Sequence, residues 1–163
     1  MEEKVVIVNP ANEIIDVVPR SVMRANILLH RASYVIVTNS KGAILVQKRS
    51  DRKDLYPSYF DPTTGGVVTE NESYEQNAVR ELEEEVGITG VTLKSLFDIH
   101  FENEYVKVWG YVFLTTYDGP IKPMDGEVVD FFFLKPRELE TFMKQEPIMP
   151  DGEMVIKKYL GMG

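Results

Sequence analysis

Cysteine is absent from this chain. Disulfides, thiolate metal sites and a cysteine nucleophile are thereby excluded, and the absence fits a reducing compartment. Positive charge is also short. Lys and Arg number 18 against 26 Asp and Glu, a formal net charge of −8. Nonspecific nucleic-acid binding needs a basic surface, so nucleic acid is not expected as a partner. Phosphates stay within reach of an acidic protein, because metal ions can supply the positive charge. No apolar run approaches the ~18 residues of a membrane span. The opening MEEKVVIVNP is acidic around a short apolar run, which is no secretory signal. No membrane partner is expected, and the chain reads as soluble and cytoplasmic. Low-complexity stretches, internal repeats and linkers are missing too. What remains is 163 residues, 44% apolar and 27% charged. That suits a single domain, 1–163, large enough to bury a core.

Residues 1–30 read as an N-terminal hairpin and an approach segment, and 31–163 as the core. In the first part, VVIVNPANEIIDVVP places two β-branched runs around a turn. Residues 21–30 are either a short helix or an irregular approach. Ala32 to Thr38 and Ala43 to Lys48 are predicted strands joined by Asn-Ser-Lys-Gly, a second hairpin. Ser50 to Thr64 is charged, then aromatic, and holds Pro57 and Pro62. It reads as a long loop, of the kind that often carries function. Val91 to Phe101, Tyr105 to Thr116 and Val128 to Leu134 read as further strands. Pro136 opens a helix to about Gln145, and Pro150-Asp151 another to about Leu160. These elements predict an α/β fold of the α+β kind, an α/β/α sandwich on a mixed central sheet. Strict alternation is lacking, so a doubly wound parallel sheet is not expected. The run Phe131-Phe132-Phe133 breaks in/out alternation, so one ring must face a helix, a loop or another chain. A homodimer is one way to meet that need.

The most informative segment runs from Gly66 to Ile88, GVVTENESYEQNAVRELEEEVGI. On a helix over about 73–86, at ~100° per residue, Ala78, Val79, Leu82 and Val86 form a core stripe. Glu81, Glu84 and Glu85 fall on a neighbouring arc, with Arg80 beside it. Gly87 is placed to end the helix, and Gly65-Gly66 lets the backbone approach a ligand closely. An acidic helix face is often merely solvated. Here the glutamates repel one another and no lysine stands at i+4 to relieve them. Divalent cations are natural partners, since Mg²⁺ takes oxygen ligands from carboxylates, waters and phosphates.

The segment resembles the Nudix signature, Gly-x5-Glu-x7-Arg-Glu-U-x-Glu-Glu-x-Gly-U, where U is a bulky aliphatic. Gly66, Glu72, Arg80, Glu81, Leu82, Glu84, Glu85, Gly87 and Ile88 fill every fixed position. The resemblance implies that Glu81, Glu84 and Glu85 ligate Mg²⁺ or Mn²⁺, with the Gly65 carbonyl completing a site. It implies that Arg80 pairs with Glu72 and orients Glu81. A further acid from a loop beyond the box is common in the family, and Glu127 is the candidate. The implied reaction is attack of water on a phosphorus of a small-molecule diphosphate, with Glu81, Glu84 or Glu127 as the base.

Upstream, LLHRASYVIVTNSKGAILVQKRSDRKDLYPSYFD looks like the isopentenyl-diphosphate isomerase branch of the same superfamily. The shared cues are Leu29-His30, Lys48-Arg49, Lys53 and Tyr56-Pro57. By that likeness Arg49 and Lys53 help hold the diphosphate, and Gly66, where the backbone can approach closely, is the third substrate-binding position expected. Isomerase chemistry itself departs from this chain. Its cysteine position is Gly65, and of its histidine cluster only His30 survives, beside Met23 and Val67. Glu102 and Glu104 have its paired-acid spacing but stand early relative to the next strand. Hydrolysis is therefore the expected reaction, ahead of isomerisation and ahead of a non-catalytic nucleotide sensor. Nucleotides are the favoured substrates, with selectivity expected from Ser50 to Thr64 and from Trp109 and Tyr111. Tyr56, Tyr59 and Phe60 could stack on a base or pin the loop to the core; Trp109 in its apolar strand suits the core.

Overall fold

A computed structural model describes residues 2–124 and 126–161. The outermost residues of the 1–163 span, Met1, Met162 and Gly163, lie outside the described residues. The order is β1 (Lys4–Val8), β2 (Ile14–Pro19), α1 (Arg20–Asn26), β3 (Leu29–Thr38), β4 (Ile44–Arg49), β5 (Phe60–Asp61), β6 (Thr64–Val67), α2 (Tyr74–Val86), β7 (Lys94–Glu102), β8 (Lys107–Thr116), β9 (Val128–Leu134), α3 (Pro136–Gln145) and α4 (Pro150–Tyr159). The strands belong to one mixed sheet. β3 is its spine: it pairs parallel with β8 along its whole length and antiparallel with β6.

Burial on both faces explains the unbroken Val35-Ile36-Val37 run in β3. One face carries Tyr34, Ile36, Ile44, Val46, Val108 and Val112 against Leu139, Met143, Val155 and Ile156 of α3 and α4. The other carries Val35, Val37, Leu45 and Phe113 against Ala78, Leu82 and Val86 of α2. The α/β/α layering and mixed sheet follow the sequence expectation. Phe132 packs toward α3, while Phe131 and Phe133 pack toward the α2 layer. The triple-phenylalanine run is thus accounted for by two covered faces within one chain. No described helix is long and apolar enough to cross a membrane.

The second hairpin differs from expectation. β3 and β4 pair only at Thr38↔Ile44, then part. β3 continues between β6 and β8, while β4 joins β5 and β9. The predicted Ser50 to Thr64 loop contributes β5 and the start of β6. Gln47 bridges the split, donating from Nε2 to the Thr63 carbonyl at 2.8 Å. The strands at Val91 and Tyr105 begin later than predicted, at Lys94 and Lys107.

α2 starts at a capping box. Ser73 Oγ accepts from the Gln76 N–H at 3.1 Å and Gln76 Oε1 accepts from the Ser73 N–H at 2.9 Å. It ends at Gly87, whose φ of 71° is left-handed. The core stripe is displaced from the predicted one. Val79 is 51% exposed, whereas Asn77 is fully buried and Glu85 nearly so. Asn77 links three elements: it accepts from Ser33 Oγ, and its amide donates to the Val67 carbonyl at 2.9 Å and to Glu72 Oε1 at 2.8 Å. Asn77→Ala leaves a buried hydroxyl and a buried carbonyl unpaired and should cost about 3 kcal/mol. Denaturant unfolding measures this; a loss below about 1 kcal/mol would mean water replaces the amide.

Candidate active site

The parting of β3 from β4 positions a cavity of about 550 Å³. Its lining comes from both sides of the split: His30 and Ala32 to Tyr34 of β3, Arg49 at the end of β4, Asp61 of β5, Gly65 to Val67 of β6, and the acidic side of α2. Every residue expected to act in catalysis, metal binding or diphosphate binding lines it except Glu72, which stands one hydrogen bond behind, through Arg80.

Glu72 accepts from Arg80 Nε at 2.8 Å and Nη2 at 3.2 Å, a bidentate pair. Burial pushes the Glu72 carboxyl up, but hydrogen bonds from Arg80, Asn77 and Thr69 outweigh it and hold the group at about 2. The same bonds raise the Arg80 pKa and keep it charged. From that anchor Arg80 Nη1 reaches Glu81 Oε1 at 3.3 Å and Glu84 Oε2 at 3.0 Å. Arg80 thus bridges Glu72 to Glu81 and Glu84.

The three box glutamates occupy different environments. Glu84 is half-exposed at the side chain. Glu81 is largely buried, and burial with the nearby Glu84, Glu127 and Glu3 charges lifts it to about 7 against the pull of Arg80. Glu85 is buried, and desolvation followed by the Glu81 and Asp61 charges raises its carboxyl well above the usual range. Its Oε2 has no hydrogen-bond partner among the described residues. Glycine at 66 is required by this packing, since a Cβ there would sit 2.7 Å from the Glu81 carboxyl. At 65 a Cβ would collide with the Ser33 carbonyl oxygen.

This donor set suits a hard divalent cation. It is all oxygen, it includes a buried carboxyl oxygen without a partner among the described residues, and its mutual repulsion would be relieved by positive charge. Among the described residues no three acidic or histidine side chains meet as a finished metal cage. Arg80 draws Glu84 to itself, and Mg²⁺ keeps waters and phosphate oxygens as ligands rather than requiring a full protein cage.

Glu127 enters the cavity and pairs with Lys53 at 3.0 Å. Arg49 donates to the Leu55 carbonyl at 2.9 Å and the Tyr56 carbonyl at 3.3 Å, so backbone oxygens hold the guanidinium without neutralising it. His30 is 3% exposed, with Nδ1 3.0 Å from the Leu28 carbonyl. Burial lowers its pKa to about 4, so it is a neutral residue on the cavity floor. Met23 and Val67 are buried apolar neighbours.

Trp109 and Tyr111 do not line the cavity. Strand alternation sends Val106 and Val108 into it and turns Trp109 and Tyr111 to the opposite face. There Trp109 contacts the His100 ring at 3.7 Å between centroids, and Tyr111 packs on Tyr74 and Phe113. Of the loop aromatics, Tyr56 reaches the cavity, its hydroxyl accepting from Asn103 at 2.7 Å. Phe60 packs on Phe132 and Phe142 in the core. Glu102 ends β7, 3.9 Å from Lys107, and neither it nor Glu104 reaches the cavity.

Several cavity residues were missed by sequence reasoning. Tyr34 donates to Asp151 Oδ2 at 2.7 Å across 117 positions of sequence. Asp61 accepts from the Thr63 N–H and hydroxyl, and burial followed by the Asp151 charge raises it to about 6. Arg20 and Arg24 of α1 line the rim. None stands in a recognisable motif; in the sequence Asp151 marks only the opening of the last helix.

Residues 28–155 match the NUDIX domain family. An uncharacterized Nudix hydrolase of Escherichia coli K12, YfcD, is 42% identical over 137 residues, 84% of this chain and 76% of its own length. One from Yersinia pestis is 40% identical over 158 residues, 97% of this chain and 86% of its own. Among solved structures, DR0079 from Deinococcus radiodurans superposes with a TM-score of 0.83 at 21% identity, covering 96% of this chain and 98% of that one. At that identity the likeness concerns the fold.

Proposed function

This chain belongs to the Nudix hydrolase family, and from that premise we propose that it cleaves the diphosphate linkage of a small molecule, a nucleoside diphosphate derivative in the favoured case. The observation that carries the reading is the α2 acid cluster against Gly66, with Glu85 buried and one of its oxygens lacking a partner among the described residues. Glu81, Glu84 and Glu85, with the Gly65 carbonyl, are the residues to hold Mg²⁺ or Mn²⁺. A bound divalent cation supplies positive charge against the phosphate oxygens and lowers the pKa of water.

The protein's own residues do the rest. Arg49 and Lys53 face the cavity and hold the non-reacting phosphate oxygens, Lys53 by exchanging its contact with Glu127. Arg80, anchored by Glu72, fixes the Glu81 carboxylate. A water oxygen bonds to one phosphorus as the bridging P–O bond breaks, and the leaving phosphate takes the bond's electron pair. The proton lost by water passes to Glu81, Glu84 or Glu127. In this reading the whole 1–163 chain serves as one domain, in the cytoplasm, and the isomerase-like upstream half contributes anion binding. Isomerase chemistry is disfavoured because a cysteine side chain at position 65 would meet the Ser33 carbonyl.

The test is a screen of nucleotide and non-nucleotide diphosphates with Mg²⁺ or Mn²⁺, with products identified by phosphorus NMR. Metal-dependent release of two phosphate-bearing or phosphate-plus-alcohol-phosphate fragments is expected. No turnover across the panel, or dimethylallyl product from isopentenyl diphosphate, would refute the proposal.

A further inference from the structure

The cavity has a basic region that the hydrolytic reading leaves unused. Arg20 and Arg24 of α1 and Arg52 after β4 line it together with Arg49. Arg24 is the centre of this group. Its side chain is only 21% exposed, and its Nε is buried with no hydrogen-bond partner among the described residues. The nearest acid, Asp54 Oδ2, stands 3.6 Å from Nε, and Asp54 is itself 63% exposed. That separation is an ion pair without a hydrogen bond, and such an exposed pair is weak. Arg24 also feels the positive charges of Arg20 and Arg49, with Asp151 partly offsetting them. The Arg20 side chain has one ion-pair partner among the described residues, Glu3 at 3.4 Å. The Arg52 guanidinium takes part in no hydrogen bond or ion pair among the described residues.

Burying a guanidinium donor without an acceptor is costly. The positive charges of Arg20 and Arg49 act unfavourably on Arg24, and an anion joining these groups relieves that repulsion. A planar fork of N–H groups matches phosphate better than a lysine would. The cavity volume also falls in the ~300–1,000 Å³ range of sites for whole drug-sized ligands, which leaves room beyond a diphosphate. Arg20, Arg24 and Asp54 line an adjoining groove as well, so the Arg24–Asp54 pair stands at the border between the two.

We propose that Arg24, with Arg20 and Arg52, forms a second anion subsite that takes a phosphate group of the substrate separate from the linkage being cut, displacing Asp54. The inference rests on the hydrolytic reading, but the subsite binds its anion independently of turnover. The substrate class becomes a diphosphate compound that carries an additional phosphate.

Calorimetric titration with inorganic pyrophosphate in EDTA tests the subsite without catalysis. Wild-type protein should bind saturably. Arg24→Gln should weaken binding at least about tenfold, the value of one charge-assisted contact, and Arg52→Gln about threefold. Asp54→Asn, which removes the competing carboxylate, should tighten binding about threefold. Unchanged affinity in Arg24→Gln and Arg52→Gln overturns the proposal. So does loss confined to Arg49→Gln, which would place the anion on the diphosphate position, or absence of wild-type binding. If Arg24→Gln does not fold, Arg52→Gln and Asp54→Asn still carry opposite expected signs. A second arm compares adenosine 5′-diphosphate with its 3′-phosphorylated form under Mg²⁺: Arg24→Gln should raise KM for the latter alone. Failure of hydrolysis with pyrophosphate binding as predicted would refute the catalytic reading and leave the subsite standing.

Discussion

Glu85→Gln should lower metal-dependent kcat on the order of 10³-fold, the several kcal/mol that a positioned cation contributes, while making the metal-free protein more stable. The two effects share one cause. Glu85 is a buried carboxyl with an oxygen that has no partner among the described residues, held beside Glu81 and Asp61. Folding places it there at a cost that a bound cation can offset. Glutamine keeps the shape and removes the charge.

The pH dependence follows from the direction of the shifts. Burial raises Glu85 well above its ordinary value and Glu81 to about 7. In the range where the unfolded chain has released these protons, the folded state still holds them. Metal-free stability is therefore greatest below the unfolded carboxylate values and declines as pH rises through about 7. Glu85→Gln removes part of that slope. The variant should match wild type near pH 4 and exceed it by about 2 kcal/mol near pH 8 in EDTA, measured by denaturant unfolding. With Mg²⁺ the order should reverse. Glu84→Gln is the contrast, because Glu84 is half-exposed and bound by Arg80. It should lose activity comparably yet stay within about 0.5 kcal/mol of wild type. Near-wild-type turnover by either variant would remove these carboxylates from the chemistry.

How much of this was legible in the sequence depended on whether the information was local. The acidic segment is contiguous, so spacing alone set Glu81, Glu84 and Glu85 beside Arg80. Pro136 and Pro150 marked two helix starts correctly because proline at a first turn acts through its own ring. The core stripe of α2 was shifted because apolar periodicity cannot see a buried polar residue. Asn77 is inside only because Ser33, Val67 and Glu72 satisfy its amide. The parting of β3 from β4 was hidden for a different reason. A tight turn signals a hairpin at its tip, but the parallel β3–β8 pairing that pulls β3 away is made with residues far along the chain. The cavity inherits this. Arg24, Tyr34, Asp61 and Asp151 come from four segments and meet only once the sheet has split. The same alternation that set Trp109 on the wrong face for a ligand turned Val108 toward it, and a strand without known neighbours does not declare which face that is.

Substituting the two glycines before the acid segment should separate fold from function. Gly65→Ala sets a methyl against the Ser33 carbonyl, where β6 pairs with β3, and backbone cannot yield without parting the strands. A loss of about 3 kcal/mol is expected, with activity falling in proportion to folded protein. Gly66→Ala meets the far end of a side chain instead, the Glu81 carboxyl at 2.7 Å. That group can swing aside, so the melting temperature should stay within about 2 °C of wild type. Its displacement, however, breaks the arrangement that Arg80 enforces from Glu72. An error of this size in a reacting geometry is worth roughly 10²-fold in kcat. A double-mutant cycle distinguishes this from a general disturbance. If Gly66→Ala acts through Glu81, it should add almost nothing in a Glu81→Gln background. Full additivity of the two losses would show that Gly66 serves the reaction by another route, such as direct backbone contact with the phosphate.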